Sequence, residues 1–573
     1  VVLLSPGRST ATLPSSKLFR CACVRRWLPL VYREELHEVL RLTGPLVSRV
    51  KLNFLQQFVI SIFCGHIGNA ELAGYALAVA TLHVTTIAPG YGLAVACDTL
   101  ISQTYGGKNL KRVGVILQRS SLILLLFCVP CWGLLINSQN LLLVMHQEDE
   151  VARIAQLYVM MYLPAIPIAN YGFHVFSMCQ GIILPQMYTA AVANVLNLAF
   201  NYVLIFSLDL GVVGSAIANS LSQITICLLL FGYIRWKKLH RQTWGGCTTD
   251  SLQEWGSYMK LALPSALMIC FEWWIWEVGG FLAGVLGEED LAAQHIIAEV
   301  GAISYMFPFG IHAAACVRVG NALGAGDTER AKVTCKVALI MAGSFAVLQS
   351  IVIASTRSVM GYIFTSDSNS VLICVSTGIL IGSGMQKFAA CINLVSYYCI
   401  GLPVGVALMF FANLRILGFW LGIIVCSSIQ TCCFIGLIFK LNWKKITHKV
   451  GCSYAQLNSD GTSKTNVYSP VNTQDQERKV VHEAEGNNIS TEGAERDSEQ
   501  SKNTKPEKLL STSQLILRRG FTLSLAVLAL VVGIAFHIAF PPPEPRAQGW
   551  ANFTQNFTSD FTPTPLILLN QNV

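Results

Sequence analysis

Two glutamates, Glu272 and Glu277, stand inside the apolar run LALPSALMICFEWWIWEVGGFLAGVLG, interleaved with Trp273, Trp274 and Trp276 and followed by further largely apolar sequence. An ionised carboxylate in hydrocarbon costs several kcal/mol, so a chain that keeps two in one span is expected to turn them toward a wet cavity and use them. Indole faces beside carboxylates attract desolvated cations. Such residues suit a site that holds either a proton or a cation: desolvation favours the neutral acid, an arriving cation favours the ionised form, and each ligand expels the other. A spacing of five residues is about 500° of helical rotation, which leaves the two carboxylates about 140° apart and gives them separate jobs. Glu272 is expected to face the cavity as the main cation and proton site. Glu277 is expected one turn deeper, supporting it or pairing with a neighbouring helix.

Other polar groups in apolar surroundings extend this list. Glu299 lies one helical turn beyond His295 and either extends a proton path through an i, i+4 hydrogen bond or closes a bundle contact. His83 reads first as a satisfied interior histidine and second as a proton carrier or cation contact. Trp273 and Trp274 are candidate stacking partners for flat cations, and Trp276 is as well placed for lipid. Asp98, next to Thr99 and Ser102, reads as a helix-end hydrogen-bonding group outside the core site. Arg49 and Lys51 are expected near one end of the first span, where long cationic side chains snorkel. NALGAGD has glycines but no P-loop lysine and no preceding strand, so it is not read as a nucleotide site. Cys21 and Cys23 lack companions at zinc-like spacing, and no metal is expected. Cysteines such as Cys64, Cys128, Cys270 and Cys426 read as small packing residues. No clustered histidines or nucleophile elbow points to an enzyme.

The elements that must position these groups are membrane spans. The chain is 53% hydrophobic and 13% charged, against about 25% charged in soluble domains. Stretches long enough for about 30 Å of hydrocarbon recur near 44–64, 72–97, 113–137, 153–176, 187–207 and 212–234, then near 257–286, 291–316, 333–356, 388–411 and 416–439, with a short piece at 371–382 and a last span at 521–540. Although the net charge is +8, the basic residues are not arranged for nucleic acid. They alternate by loop: Lys108, Lys111 and Arg112 after the second span, Arg235, Lys237 and Lys238 after the sixth, Arg330, Lys332 and Lys336 after the eighth, Lys444 and Lys445 after the twelfth. Glu71, Glu148–Glu150 and Glu288–Asp290 occupy the alternate side. This puts the N-terminus in the cytosol. No convincing signal peptide precedes the first span, in a chain that begins at Val1.

At a fixed offset of 219 residues, Gly65 falls on Gly284, Gly68 on Gly287, Leu72 on Leu291, Ala73 on Ala292, Pro89 on Pro308, Ala96 on Ala315, Cys97 on Cys316 and Gly107 on Gly326. A repeat of six spans facing another six marks an alternating-access transporter whose site lies between the halves near midplane. Beyond that block, Gln186 and Gln386 are only 200 apart, so 19 residues are missing where the tenth span belongs. What remains, VLICVSTGILIG, spans about 18 Å as a helix, too short to cross. The segment is expected to dip in and return, or to record a defective splice form or gene model.

Three strings carry a family resemblance: ACDTLISQTYGGKNLKRVGVILQRS from Ala96, CFEWWIWEVGGFLAG from Cys270 and VRVGNALGAGD from Val317. Over residues 32–445, and in the extra span after a polar linker, the chain resembles the multidrug and toxin extrusion (MATE) transporters of the vertebrate solute-carrier branch. The resemblance implies proton-coupled export of organic cations across the apical plasma membrane of epithelia, with Glu272 and Glu277 matching glutamates needed for transport. It also implies a further essential glutamate in the tenth span, which falls in the missing 19 residues, and an asparagine where this chain has His83.

The expected architecture is therefore all-α and polytopic: a cytosolic N-terminal region (1–43), a six-helix bundle (44–235), a cytosolic inter-bundle loop (236–256), a second bundle lacking most of its fourth helix (257–440), a disordered cytosolic linker (441–517), a thirteenth transmembrane helix (518–540) and an extracellular tail (541–573) in which Asn552 and Asn556 are candidate glycosylation sites and from which Asn488 is excluded. The expected function is proton-driven antiport of organic cations and cationic drugs, with no cofactor, nucleotide or nucleic-acid partner. The alternatives are a transport-impaired relative with a regulatory or interaction role, and a lipid-type flippase, which would want a cationic rather than an acidic cavity.

Overall fold

In hydrocarbon a backbone N–H or C=O finds no partner except within its own helix, so each apolar stretch becomes one. The computed structural model describes residues 29–145, 147–168, 184–238, 241, 243–246, 248–360, 368–459 and 511–541. The first repeat comprises α1 (Leu30–Ile67), α2 (Asn69–Gly106), α3 (Leu110–Leu135), α4 (Asp149–Tyr162), α5 (Leu184–Ser207) and α6 (Gly211–Trp236). The second comprises α7 (Trp255–Leu286), α8 (Glu288–Gly324), α9 (Thr328–Met360), α10 (Ser368–Ser383), α11 (Gln386–Phe410) and α12 (Ile416–Lys440). Two more helices follow, α13 (Trp443–Ser459) and α14 (Thr512–Ala539). Eleven of the described helices are long and apolar enough to cross a membrane. The expected fourth span corresponds to α4, and its second half lies beyond the described residues.

The repeat is visible in the geometry. A single residue, Gly68, separates α1 from α2, and Gly287 separates α7 from α8; the cap N–H returns to Cys64 in one case and to Ala283 in the other. Within the first bundle α2 packs on α3 and α4, and α5 on α1 and α6; within the second α8 packs on α9 and α10, and α11 on α7 and α12. The bundles meet where α2 lies against α7 and α8, and α1 against α8.

Small residues let that seam close. A Cβ on Gly92 would strike the Ala266 backbone, one on Gly106 the Asn321 backbone, and one on Gly324 the Gln103 carbonyl. The last two contacts lie at the end of α2 and α8 that carries the basic loops. The span cysteines Cys64, Cys128, Cys270 and Cys426 are buried.

Three expectations change. The first helix starts at Leu30 rather than near 44, because its N-terminal turns are amphipathic and bury Glu35 and Val39 against the second bundle instead of standing in solvent. The linker does not begin at 441: α13 is helical and amphipathic, buries Trp443 and bonds Thr447 to Thr328 of α9. Residues 460–510, with Asn488, lie outside the described residues, as does the tail with Asn552 and Asn556.

The third change concerns the tenth span. Among the described residues it is a single helix of 16 residues, about 24 Å long, with no return within it. Its last carbonyls, of Ile381 and Gly382, accept from Thr99 Oγ1 (2.9 Å) and Gln103 Nε2 (3.1 Å) of α2. Gln386, opening α11, donates to the same Thr99 oxygen at 2.7 Å. Alternation is thereby kept, and Lys444 and Lys445 stay at the basic end. What lets so short a helix hold is its packing: Gly378 lies on the His312 backbone and Gly382 on Cys316, while Cys374, Val375 and Ser376 are fully buried.

Candidate functional site

The two glutamates of α7 face different neighbours, as their angular separation requires. Glu272 turns into the second bundle, 7% exposed, and its Oε1 accepts from the Tyr305 hydroxyl of α8 at 3.1 Å. Tyr305 also lies at the Cys374 thiol of α10. Next to this pocket the His312 ring bonds the Cys374 carbonyl at 2.7 Å. Glu272 is thus held by a neutral donor, and among the described residues no cationic side chain forms an ion pair with it.

Glu277 turns the other way, toward the first bundle, where its Oε1 lies 3.8 Å from His83 Nδ1, with both side chains about a third exposed. His83 opens a π turn, His83–Ile87, in α2. Such slips of the helical ladder recur at functional sites. Within that turn the Val84 carbonyl accepts from the Trp274 indole at 3.2 Å. The Trp273 ring stacks on Tyr91 of α2 at 5.5 Å and 14°, and lies 6.1 Å from His83. His83, Trp273, Trp274 and Glu277 are therefore gathered along the α2–α7 seam, and Glu272 is set behind it. Trp276 is 38% exposed and tilted on Trp420 at 5.5 Å. The side chains of His295 and Glu299 lie outside the described residues.

Arg49 departs from the expectation that it snorkels at a helix end. With α1 beginning at Leu30, Arg49 stands near the middle of the helix, two residues past the Val47 side chain that packs on Gly310 of α8. Its Nε is buried, and its charge acts on Tyr91 and on Asp98 of α2. Asp98 is buried within α2 rather than at a helix end. The hydroxyl of its neighbour Thr99 serves α10 and that of Ser102 returns to the Thr99 carbonyl.

Tyr305 was not singled out by sequence. The signal was there in principle, because a tyrosine in an apolar span needs a partner for its hydroxyl, but nothing in the local pattern says that the partner is a carboxylate 33 residues earlier. Among the described residues no three His, Cys, Asp or Glu side chains converge in a way that could hold a metal ion.

The MatE family profile matches residues 45–203 and 264–373. "Multidrug and toxin extrusion protein 1" of Danio rerio is 44% identical over 546 residues, covering 90% of this chain and 92% of that protein. The Homo sapiens protein of the same name is 44% identical, covering 88% and 93%. Among solved structures, the eukaryotic MATE transporter AtDTX14 superposes with a TM-score of 0.69 at 26% identity, over 73% of this chain and 99% of that one. The Vibrio cholerae transporter VcmN superposes at 0.62 with 18% identity, a likeness of fold.

Proposed function

The chain belongs to the multidrug and toxin extrusion family of membrane transporters, and on that premise we propose that it is a proton-coupled antiporter that exports organic cations and cationic drugs by alternating access. The family is one of transporters, not enzymes. The observation that carries the reading is the setting of Glu272: a dry carboxylate whose oxygen is bonded by the neutral hydroxyl of Tyr305. A carboxylate without a built-in counter-cation takes up either a proton or a passing cation, and both cannot occupy it together. Glu277, across from His83 on the seam, is the second acidic group that a cation meets, with the Trp273 and Trp274 rings as walls. Glu299 is assigned to the same proton path on the strength of its place one turn after His295.

In this reading the basic loops face the cytosol, the protein resides in the plasma membrane, apical in epithelia, and the proton gradient is the energy source with no cofactor. The packing of α10 into the core favours a working transporter over a transport-impaired relative. The acidic rather than basic character of the α7 site disfavours a flippase for anionic lipids.

The test is uptake of a fluorescent organic cation into vesicles that carry the purified protein under an imposed pH gradient. Accumulation that follows the gradient and collapses with an ionophore is expected. Uptake indifferent to the gradient refutes proton coupling.

A further inference from the structure

We propose that Glu35 and Glu254 form a pair of symmetry-related latches that hold the basic, cytosolic end of the protein shut, so that both must release before that end opens. The proposal rests on the alternating-access reading. It starts from an arithmetic coincidence: 254 − 35 = 219, the offset that superposes the two repeats. Glu35 lies in the first turns of α1 and Glu254 is the residue on which α7 begins, so each stands at the entrance of its own repeat. Each is gripped by arginines of the opposite bundle.

At Glu35 the grip is two-pronged. Arg318 of α8 donates from Nε to Oε1 at 2.8 Å and from its terminal nitrogen to Oε2, Thr334 of α9 donates to Oε1 at 2.7 Å, and Arg330 Nε stands 3.4 Å from Oε2. The carboxylate is only 4% exposed. At Glu254 the arginines come from the first bundle: Arg112 and Arg119 of α3 reach Oε2 at 3.0 and 3.1 Å. Arg119 also donates to the Asp250 carbonyl at 3.2 Å, tying down the segment that leads into α7. At the same basic end α2 and α8 approach closely, where Gly320 lies on Ser102 and Gly324 on Gln103.

Bidentate arginine–carboxylate bonds fix geometry as well as charge, and removing one partner of a desolvated pair strands the other charge. Separating the bundles at this end breaks the Glu35 set and the Glu254 set together, because each bridges the parting surfaces. The Glu35 latch is the drier one and carries more donors, so it dominates. The Glu254 side chain, 22% exposed, contributes less.

The experiment places a reporter cysteine, Ser102→Cys, in the sealed seam of the full chain. Its reaction with a membrane-impermeant maleimide is followed in inside-out and right-side-out vesicles, with the rate of the protein lacking the reporter subtracted. In inside-out vesicles Glu35→Gln is expected to raise the labelling rate by about tenfold or more, Arg318→Gln likewise, and the double variant no further than either single one. Glu254→Gln is expected to raise it by about threefold. Labelling at the parent rate in Glu35→Gln, or singles that add in the double variant, overturns the proposal. Should Glu35→Gln not yield a monodisperse protein, Arg318→Lys, which keeps the charge and loses the two-pronged bond, is read by the same criterion. The labelling needs no substrate. Absent uptake with released labelling therefore removes the transport reading alone, and gradient-driven uptake with unchanged labelling removes the latch alone.

Discussion

Removing the Tyr305 hydroxyl probes the Glu272 site most directly. In Tyr305→Phe the ring and its packing stay, and the single bond to Glu272 Oε1 at 3.1 Å is lost. A hydrogen bond to a charged group is worth about 1.5–3 kcal/mol, which corresponds to a loss of cation affinity of about 10- to 150-fold. The full charge is worth more: at about 4 Å and an effective dielectric of about 20, a cation and a carboxylate attract by about 4 kcal/mol. Glu272→Gln is therefore expected to lower affinity by about a thousandfold, abolishing measurable export. Adding Tyr305→Phe to Glu272→Gln should cost little further, since the bond being removed then ends on a neutral amide. The assay is gradient-driven uptake over a range of organic-cation concentrations, with the amount of protein in the membrane matched between variants. An unchanged half-saturation concentration in Tyr305→Phe refutes the role given to this hydroxyl. Normal export by Glu272→Gln refutes the site.

Two further predictions concern other contacts. The His83–Glu277 pair is long, at 3.8 Å, and each side chain is about one-third exposed, so it is worth about 0–1 kcal/mol. His83→Ala should therefore reduce uptake by no more than about fivefold, and complete loss would make His83 an obligatory proton carrier. On α14, a Cβ at Gly533 would meet the Gly133 backbone of α3, and Asn137 donates to the Gly533 carbonyl at 2.8 Å. Gly533→Leu forces the helices apart and is expected to destabilise the docked form by about 1–3 kcal/mol, seen as a lower melting temperature of the purified protein, whereas Gly520→Ala, with open space around it, should not lower it.

Part of this molecule was written locally. The cost of burying peptide groups made each apolar run a helix, the alternation of basic and acidic loops ordered their ends, and the offset of 219 residues announced two like halves, down to the single-glycine junctions at Gly68 and Gly287. The expense of a carboxylate in hydrocarbon was enough to single out Glu272 and Glu277, and helical geometry to say that they point apart.

Partnership was decided elsewhere. That Glu272 meets Tyr305 while Glu277 meets His83, that Arg49 lies between helices rather than at an interface, and that a 16-residue α10 can still seat itself beside α8 depend on how antiparallel helices distant in sequence are placed side by side. The same holds for Glu35 and Glu254, which in the chain are unremarked acidic residues near polar flanks. Hydropathy records how each residue partitions between water and lipid. Which arginine a carboxylate finds is settled by the close approach that glycines such as Gly320 and Gly324 allow between two helices, and no periodicity within a single helix contains that information.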